Sequence, residues 1–143
     1  MKKCLLIFLV YCFSLTVISC GTKDDTSNNT STESSTYSDN GSTFTVTVNS
    51  SKYYIDGILT KSLNLKKGYT YYFDSTDLTT NNHPLFIGTT SSGGSYTYEY
   101  TSGVTNSRTT NETLTFIVPS DSPSTLYYNC GNHLAMGGTI TLM

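Results

Sequence analysis

From residue 43 onward the apolar residues of this chain come in short segments, several of them alternating at every second position, and that pattern confines the chain to strands. Phe44, Val46 and Val48 alternate with threonines. Tyr53-Tyr54-Ile55 follows and closes on Asp56-Gly57, a hairpin turn signal. Leu63 and Leu65 alternate ahead of Lys66-Lys67-Gly68, another turn. Tyr69 to Phe73 is an aromatic-rich strand, and Leu85 to Ile87 is a short apolar one. Thr113 to Val118 is stopped by Pro119, and Leu126–Tyr128 and Thr139–Leu142 form the last pair. No stretch carries helical periodicity, and alanine occurs only at Ala135. Tyr, Thr, Val, Ile and Phe dominate instead, which suits a pleated, half-buried surface. Short strands set apart by turn signals predict an all-β sandwich or barrel of about 7–8 strands. Thr89 to Asn111 is poorer in core residues and holds Gly93, Gly94 and Gly103. It reads as a long solvated connection with at most one edge strand.

The N-terminal part is of another kind. Lys2 and Lys3 precede an apolar run from Leu5 to Ile18, closed by small or polar residues. That is the layout of a secretory signal peptide over residues 1–20. The run is shorter than the roughly 20 residues that a membrane-spanning helix needs. Val17-Ile18-Ser19-Cys20 resembles a bacterial lipobox. The resemblance implies that Cys20 is the lipidated first residue of the mature protein, anchored by more than one acyl chain. Residues 21–42 are rich in Ser, Thr and Asn and nearly devoid of apolar side chains. They read as a flexible tether. Lys23-Asp24-Asp25 fits a solvated linker start as well as it fits a surface-export signal. Residues 43–143 are left for the folded domain.

That domain carries five basic and six acidic side chains. Near neutrality gives no electrostatic case for nucleic acid.

The chemistry is concentrated in one stretch. With Cys4, Cys12 and Cys20 assigned to signal and anchor, Cys130 is the one cysteine of the folded part. An exported thiol without a disulfide partner needs a reason. Taken alone it would pass for a small buried hydrophobe. It is followed by His133 and Met136, in the pattern Cys-x2-His-x2-Met. The chain holds one other histidine, His83, at the start of an expected strand. Thiolate and thioether suit Cu(I), and imidazole suits Cu(II). Two His and one Cys in a trigonal plane, with a long axial Met, serve both oxidation states of a single copper ion. The loop joining Leu126–Tyr128 to Thr139–Leu142 would supply three of these groups. Gly137-Gly138 would turn the chain away from the metal. Zinc is the competing metal, with a carboxylate as fourth ligand. It would leave Met136 without a role.

The loop from Leu126 to Gly138, with Asn82-His83-Pro84-Leu85 and Lys52 to Gly57, resembles the cupredoxins, and its spacing is closest to amicyanin. The likeness to plastocyanin-like domains covers residues 43–143 and implies a Greek-key β-sandwich. By the family's pattern His83 is the upstream imidazole ligand, Cys130 the thiolate, His133 the downstream imidazole and Met136 the axial thioether. Two positions depart from that pattern. Pro84 stands where many members have a bracing Asn after the upstream His, and Asn132 stands where many have Pro before the downstream His. Asn82, Asn129 or Asn132 could serve as substitute braces.

The resemblance implies one-electron transfer and no enzyme activity. Two histidines cannot build a second copper centre, and a saturated site leaves no open position for substrate. Leu134 and Ala135 would form an apolar docking patch beside His133 for a transient redox partner. The protein would act as a monomer, held to the cell envelope or cell surface by its lipid. Two alternatives stay open. One is copper storage or delivery. The other is a surface interaction module with structural copper or none, served by the Thr89–Arg108 stretch.

Overall fold

The computed structural model describes residues 41–143. The expected signal peptide, Cys20 and the tether up to residue 40 lie outside the described residues.

The domain is the expected all-β sandwich, with ten strands rather than 7–8. In chain order they are β1 Ser42–Asn49, β2 Lys52–Ile55, β3 Ile58–Leu59, β4 Leu63–Leu65, β5 Thr70–Asp74, β6 Leu85–Gly88, β7 Val104–Thr105, β8 Thr113–Ile117, β9 Thr125–Cys130 and β10 Gly138–Leu142. The difference in number is β3 and β7, each two residues long and so too short to show a period. A single 3-10 turn, Leu78–Thr80, lies between β5 and β6. Asp77 caps it by accepting a hydrogen bond from the Thr79 N–H at 2.8 Å.

One sheet has the order β3-β2-β1-β5-β8-β7, the other β4-β10-β9-β6. Each contains one parallel pair, β1 with β5 and β4 with β10, among antiparallel ones. Asp56 and Gly57 both have positive φ and join β2 to β3 in a two-residue turn. That is the type I′ geometry whose twist suits a hairpin.

The inward positions of the two sheets meet in one core. Phe44, Val46, Tyr71, Phe73, Leu114 and Phe116 come from one sheet, and Leu63, Leu65, Leu126, Ile140 and Leu142 from the other, all buried. The alternation of buried and half-exposed residues is clean in β5 and β8. It fails in β6, which is buried throughout, and in the last three residues of β9, Tyr128 to Cys130. Both failures have one cause.

The stretch from Thr89 to Glu112 folds back over that corner of the sandwich. Its backbone pairs with the otherwise open edge of β6. Thr89 donates to the Tyr98 carbonyl, Tyr100 to Ile87, and Arg108 to Leu85, at 2.8, 2.8 and 2.7 Å. Leu85 in turn donates to Thr109 at 2.9 Å. Phe86, on the outer face of the sheet, meets the edge of the Tyr96 ring at 5.1 Å between centroids. The expectation of a solvated connection is therefore corrected. The stretch holds one short edge strand, β7, which the reading of at most one allowed, but the rest of it covers an edge and an outer face that would otherwise expose unpaired amides and Phe86. It acts as a strap over the end of the sandwich that carries the site.

Phe73 is fully buried and touches Phe44, with 5.2 Å between ring centroids. Phe73→Ala should cost about 3–5 kcal/mol, as truncation of a buried aromatic does. Urea unfolding checks this, and a loss below 1 kcal/mol (roughly the cost of a surface change) would contradict the packing described.

Candidate metal centre

Two chain segments approach each other at one end of the second sheet. β6 and β9 are antiparallel, with Leu85 opposite Cys130. His83, two residues before Leu85, is thereby carried alongside the end of β9. The His83 N–H donates to the Thr80 carbonyl at 2.8 Å. Asn82 takes φ 64° just before it, a left-handed conformation that Asn tolerates better than most residues. The Tyr53 hydroxyl donates to the His83 carbonyl at 2.6 Å, fixing the ligand segment to the opposite sheet. Burial, and next the nearby Cys130 thiol, push the pKa of that hydroxyl far above the ordinary tyrosine range, so Tyr53 stays a donor.

Past Cys130 the chain forms a tight loop into β10. His133 is partly buried, Met136 fully so. The loop is tied down on three sides. Just ahead of β6, the Pro84 carbonyl accepts from the Gly131 N–H at 2.8 Å. From β2, the Tyr53 N–H donates to the Met136 carbonyl at 3.1 Å, and the Lys52 ammonium donates to the Ala135 carbonyl. From the strap, the Gly94 N–H donates to the Cys130 carbonyl at 2.9 Å, and the Ser92 carbonyl accepts from Ala135 N–H at 2.8 Å. Gly137 has no room for a side chain, because a Cβ there would strike the Tyr128 carbonyl oxygen.

The result is a triangle of donor atoms. His83 Nδ1 and His133 Nδ1 are 3.2 Å apart. Cys130 Sγ lies 3.4 Å from His133 Nδ1 and 3.9 Å from His83 Nδ1. These sides make an acute triangle, so the point equidistant from its corners lies inside it, about 2.0 Å from each atom. First-row metals bind imidazole nitrogen at about 2.0–2.1 Å and thiolate at about 2.3 Å. The three groups therefore fit one metal ion between them. Among the described residues no Asp or Glu joins the cluster, so the carboxylate that a zinc reading requires is not supplied. Thiolate, two imidazoles and a buried thioether in the same loop fit a single copper ion. Burial, and then the charge that His133 would carry, hold the His83 imidazole's pKa below its ordinary value, toward the neutral form that binds metals.

The donor set fits a blue-copper site. Both the sandwich and the placing of His83, Cys130 and His133 are as the cupredoxin resemblance implies. No family model matches the chain, and no curated protein is detectably similar in sequence. Among solved structures, crystal structures of rusticyanin variants match. One is 12% identical, covering 75% of this chain and 80% of rusticyanin, with a TM-score of 0.44. Another has the same identity and coverage at a TM-score of 0.42. A third is 13% identical over 78% of this chain and 85% of rusticyanin, at 0.43. The assignment of the site rests on its own geometry.

The bracing question left by Pro84 has a structural answer. Asn132 Nδ2 donates to the Asn82 carbonyl at 2.9 Å, linking the downstream histidine's loop to the upstream histidine's turn. Asn129 Nδ2 donates to the Thr90 carbonyl at 2.8 Å and so holds the strap. Asn82 takes part through its carbonyl. Tyr53 and Gly93 matter as much and were not singled out from sequence. Tyr53 alternates like any core residue, and Gly93 looks like an ordinary loop glycine. A Cβ on Gly93 would come within 2.7 Å of the His133 carbonyl. Leu134, 74% exposed, and Ala135, also exposed, lie beside His133 at the surface.

Gly137→Ala should lower the stability of the metal-free protein by about 1–3 kcal/mol, the cost of overpacking against a backbone atom that cannot yield. An unchanged urea midpoint would contradict the close approach to Tyr128.

Proposed function

We propose that the protein is a one-electron carrier of the cell envelope. Its copper would be held by His83 Nδ1, His133 Nδ1, the Cys130 thiolate and the Met136 sulfur. The observation that carries this reading is the donor triangle with sides of 3.2, 3.4 and 3.9 Å, whose centre is metal-sized.

Copper bound there supplies a Cu(I)/Cu(II) couple. The residues do the rest. Cys130 and Met136 are buried and offer the soft donors that favour the reduced ion, while the two imidazoles favour the oxidised one. The ties from β2, Pro84 and the strap keep the donors in place, so little has to move when an electron arrives or leaves. Four protein donors leave no open position for a substrate, which supports a carrier rather than an enzyme. His83 and His133 are both partly open to the surface, and Leu134 and Ala135 beside His133 supply an apolar patch for brief docking. A small interface of that kind suits a redox partner that must leave again. The signal-like residues 1–20 and the lipobox-like Val17 to Cys20 support export, with Cys20 as the lipid anchor.

Voltammetry of the copper-loaded protein tests the carrier reading. One reversible one-electron wave is expected. Met136→Leu should keep the thiolate-to-copper absorption and move the potential upward, because loss of a donor destabilises the higher oxidation state. No wave in the wild type, or a potential unmoved by Met136→Leu, would count against the reading.

A further inference from the structure

The strap from Thr89 to Thr109 does more than cover an edge. Such a stretch is costly to order, and long connections of this kind are usually functional or disordered. This one is ordered against the ligand loop. Besides the bonds from Gly94 and to Ser92, Gly93 and Leu134 form a β-bridge. The two segments fit each other through paired glycines. Gly93, with φ +63°, sits where a Cβ would meet the His133 and Cys130 carbonyls at 2.7 and 3.1 Å. Gly131, next to the thiolate ligand, leaves the space that the Tyr96 hydroxyl fills.

Tyr96 is in turn held by a small polar cluster. The Arg108 guanidinium lies over its ring, 4.2 Å from the centroid. Arg108 Nε and Nη2 donate to Glu99 Oε2 at 3.0 and 2.5 Å, and the Ser107 hydroxyl donates to Glu99 Oε1 at 2.5 Å. The Glu99 side chain is only 6% exposed, whereas that of Arg108 is 54% exposed. Burial disfavours the Glu99 charge, but the bonds from Arg108 and Ser107 outweigh it and hold the carboxyl below its ordinary range. A nearly buried carboxylate with both oxygens engaged is a costly element to retain in a connection that merely spans two strands. Its chain neighbours show what it secures. Glu99 bridges to Gly88 at the end of β6, and Arg108 pairs with Leu85, the residue opposite Cys130.

We propose that Glu99 and Arg108 are positioning residues for the metal. By clamping Tyr96 against Gly131 they hold the strap down, and the strap holds Cys130 and His133 in binding geometry before any metal arrives. The inference rests on the copper reading given above. Arg108 and Glu99 act on the ligands through Tyr96, Gly93 and Gly94.

The test uses the whole protein and three readouts. In the metal-free protein, Arg108→Ala should speed hydrogen exchange of the Gly94 and Ala135 amides, while amides of β5 and β8 exchange as before. In the copper-loaded protein the same variant should release copper to a chelator about 10–100-fold faster, the usual scale for loss of an outer support. Its electron paramagnetic resonance spectrum should broaden as ligand geometry spreads. Arg108→Lys keeps the cation but loses the two-bond fork, so an intermediate effect is expected. It decides the matter if Arg108→Ala fails to fold. Unchanged exchange at Gly94 and Ala135 would overturn the clamp. Faster exchange with unaltered copper release and spectrum would also overturn it, by showing that the ligands are fixed without the strap. If even the wild type takes up no copper, the carrier reading fails, and the exchange readout still decides whether Arg108 holds the strap.

Discussion

The register between β6 and β9 is the constraint on which the rest of the site depends. Leu85 opposite Cys130 puts the thiol at the inner end of its strand and brings His83 level with it. A shift of one residue would turn every side chain of β9 to the other face. Cys130 would then point away from His83, and Leu126 and Tyr128 would leave the core. The pairs Phe86 with Asn129 and Ile87 with Tyr128 lock that register by burying both faces at once. The hydrophobic core thus fixes where one imidazole and one thiolate meet. The hairpin into β10 then needs only a short loop to bring up the second imidazole and the thioether.

That loop could not hold its shape by itself. Ala135 has φ 49°, a conformation costing about 1–2 kcal/mol for a residue with a side chain, and Gly137 is pressed against a carbonyl. Such strain persists only where the surroundings over-determine it. Here β2 grips the loop at Ala135 and Met136, Pro84 ahead of β6 grips it at Gly131, and the strap grips it at Cys130 and Ala135. A site so held from outside changes little between two oxidation states, and this links the packing to the carrier function proposed for it. It also gives the connection between β6 and β8 a task that its composition conceals.

Much of this was legible in the sequence because it is periodic or chemically sparse. Alternation of Phe44, Val46 and Val48, or of Tyr71 and Phe73, has one physical reading. Two histidines and one cysteine in a folded part leave few ways to build a metal centre, and the structure brings those three together. What was illegible depends on contacts between distant segments. Two-residue strands such as Ile58–Leu59 carry no period. Ser, Thr, Gly and Tyr in the strap look solvated until the open edge of β6 is seen to need partners. The Asn132-to-Asn82 tie compensates for Pro84, but three asparagines were equivalent in sequence and only their geometry separates them. Tyr53 looked like core because it is core, while its hydroxyl also holds the upstream ligand's backbone.

The most direct measurement is a titration of the metal-free protein with Cu(II), followed by visible absorption and electron paramagnetic resonance, with Cys130→Ala alongside. An intense thiolate-to-copper band that saturates at one copper per chain and is missing from Cys130→Ala is the expected result. A folded protein that develops no such band, or one whose band survives loss of Cys130, would contradict the copper centre described.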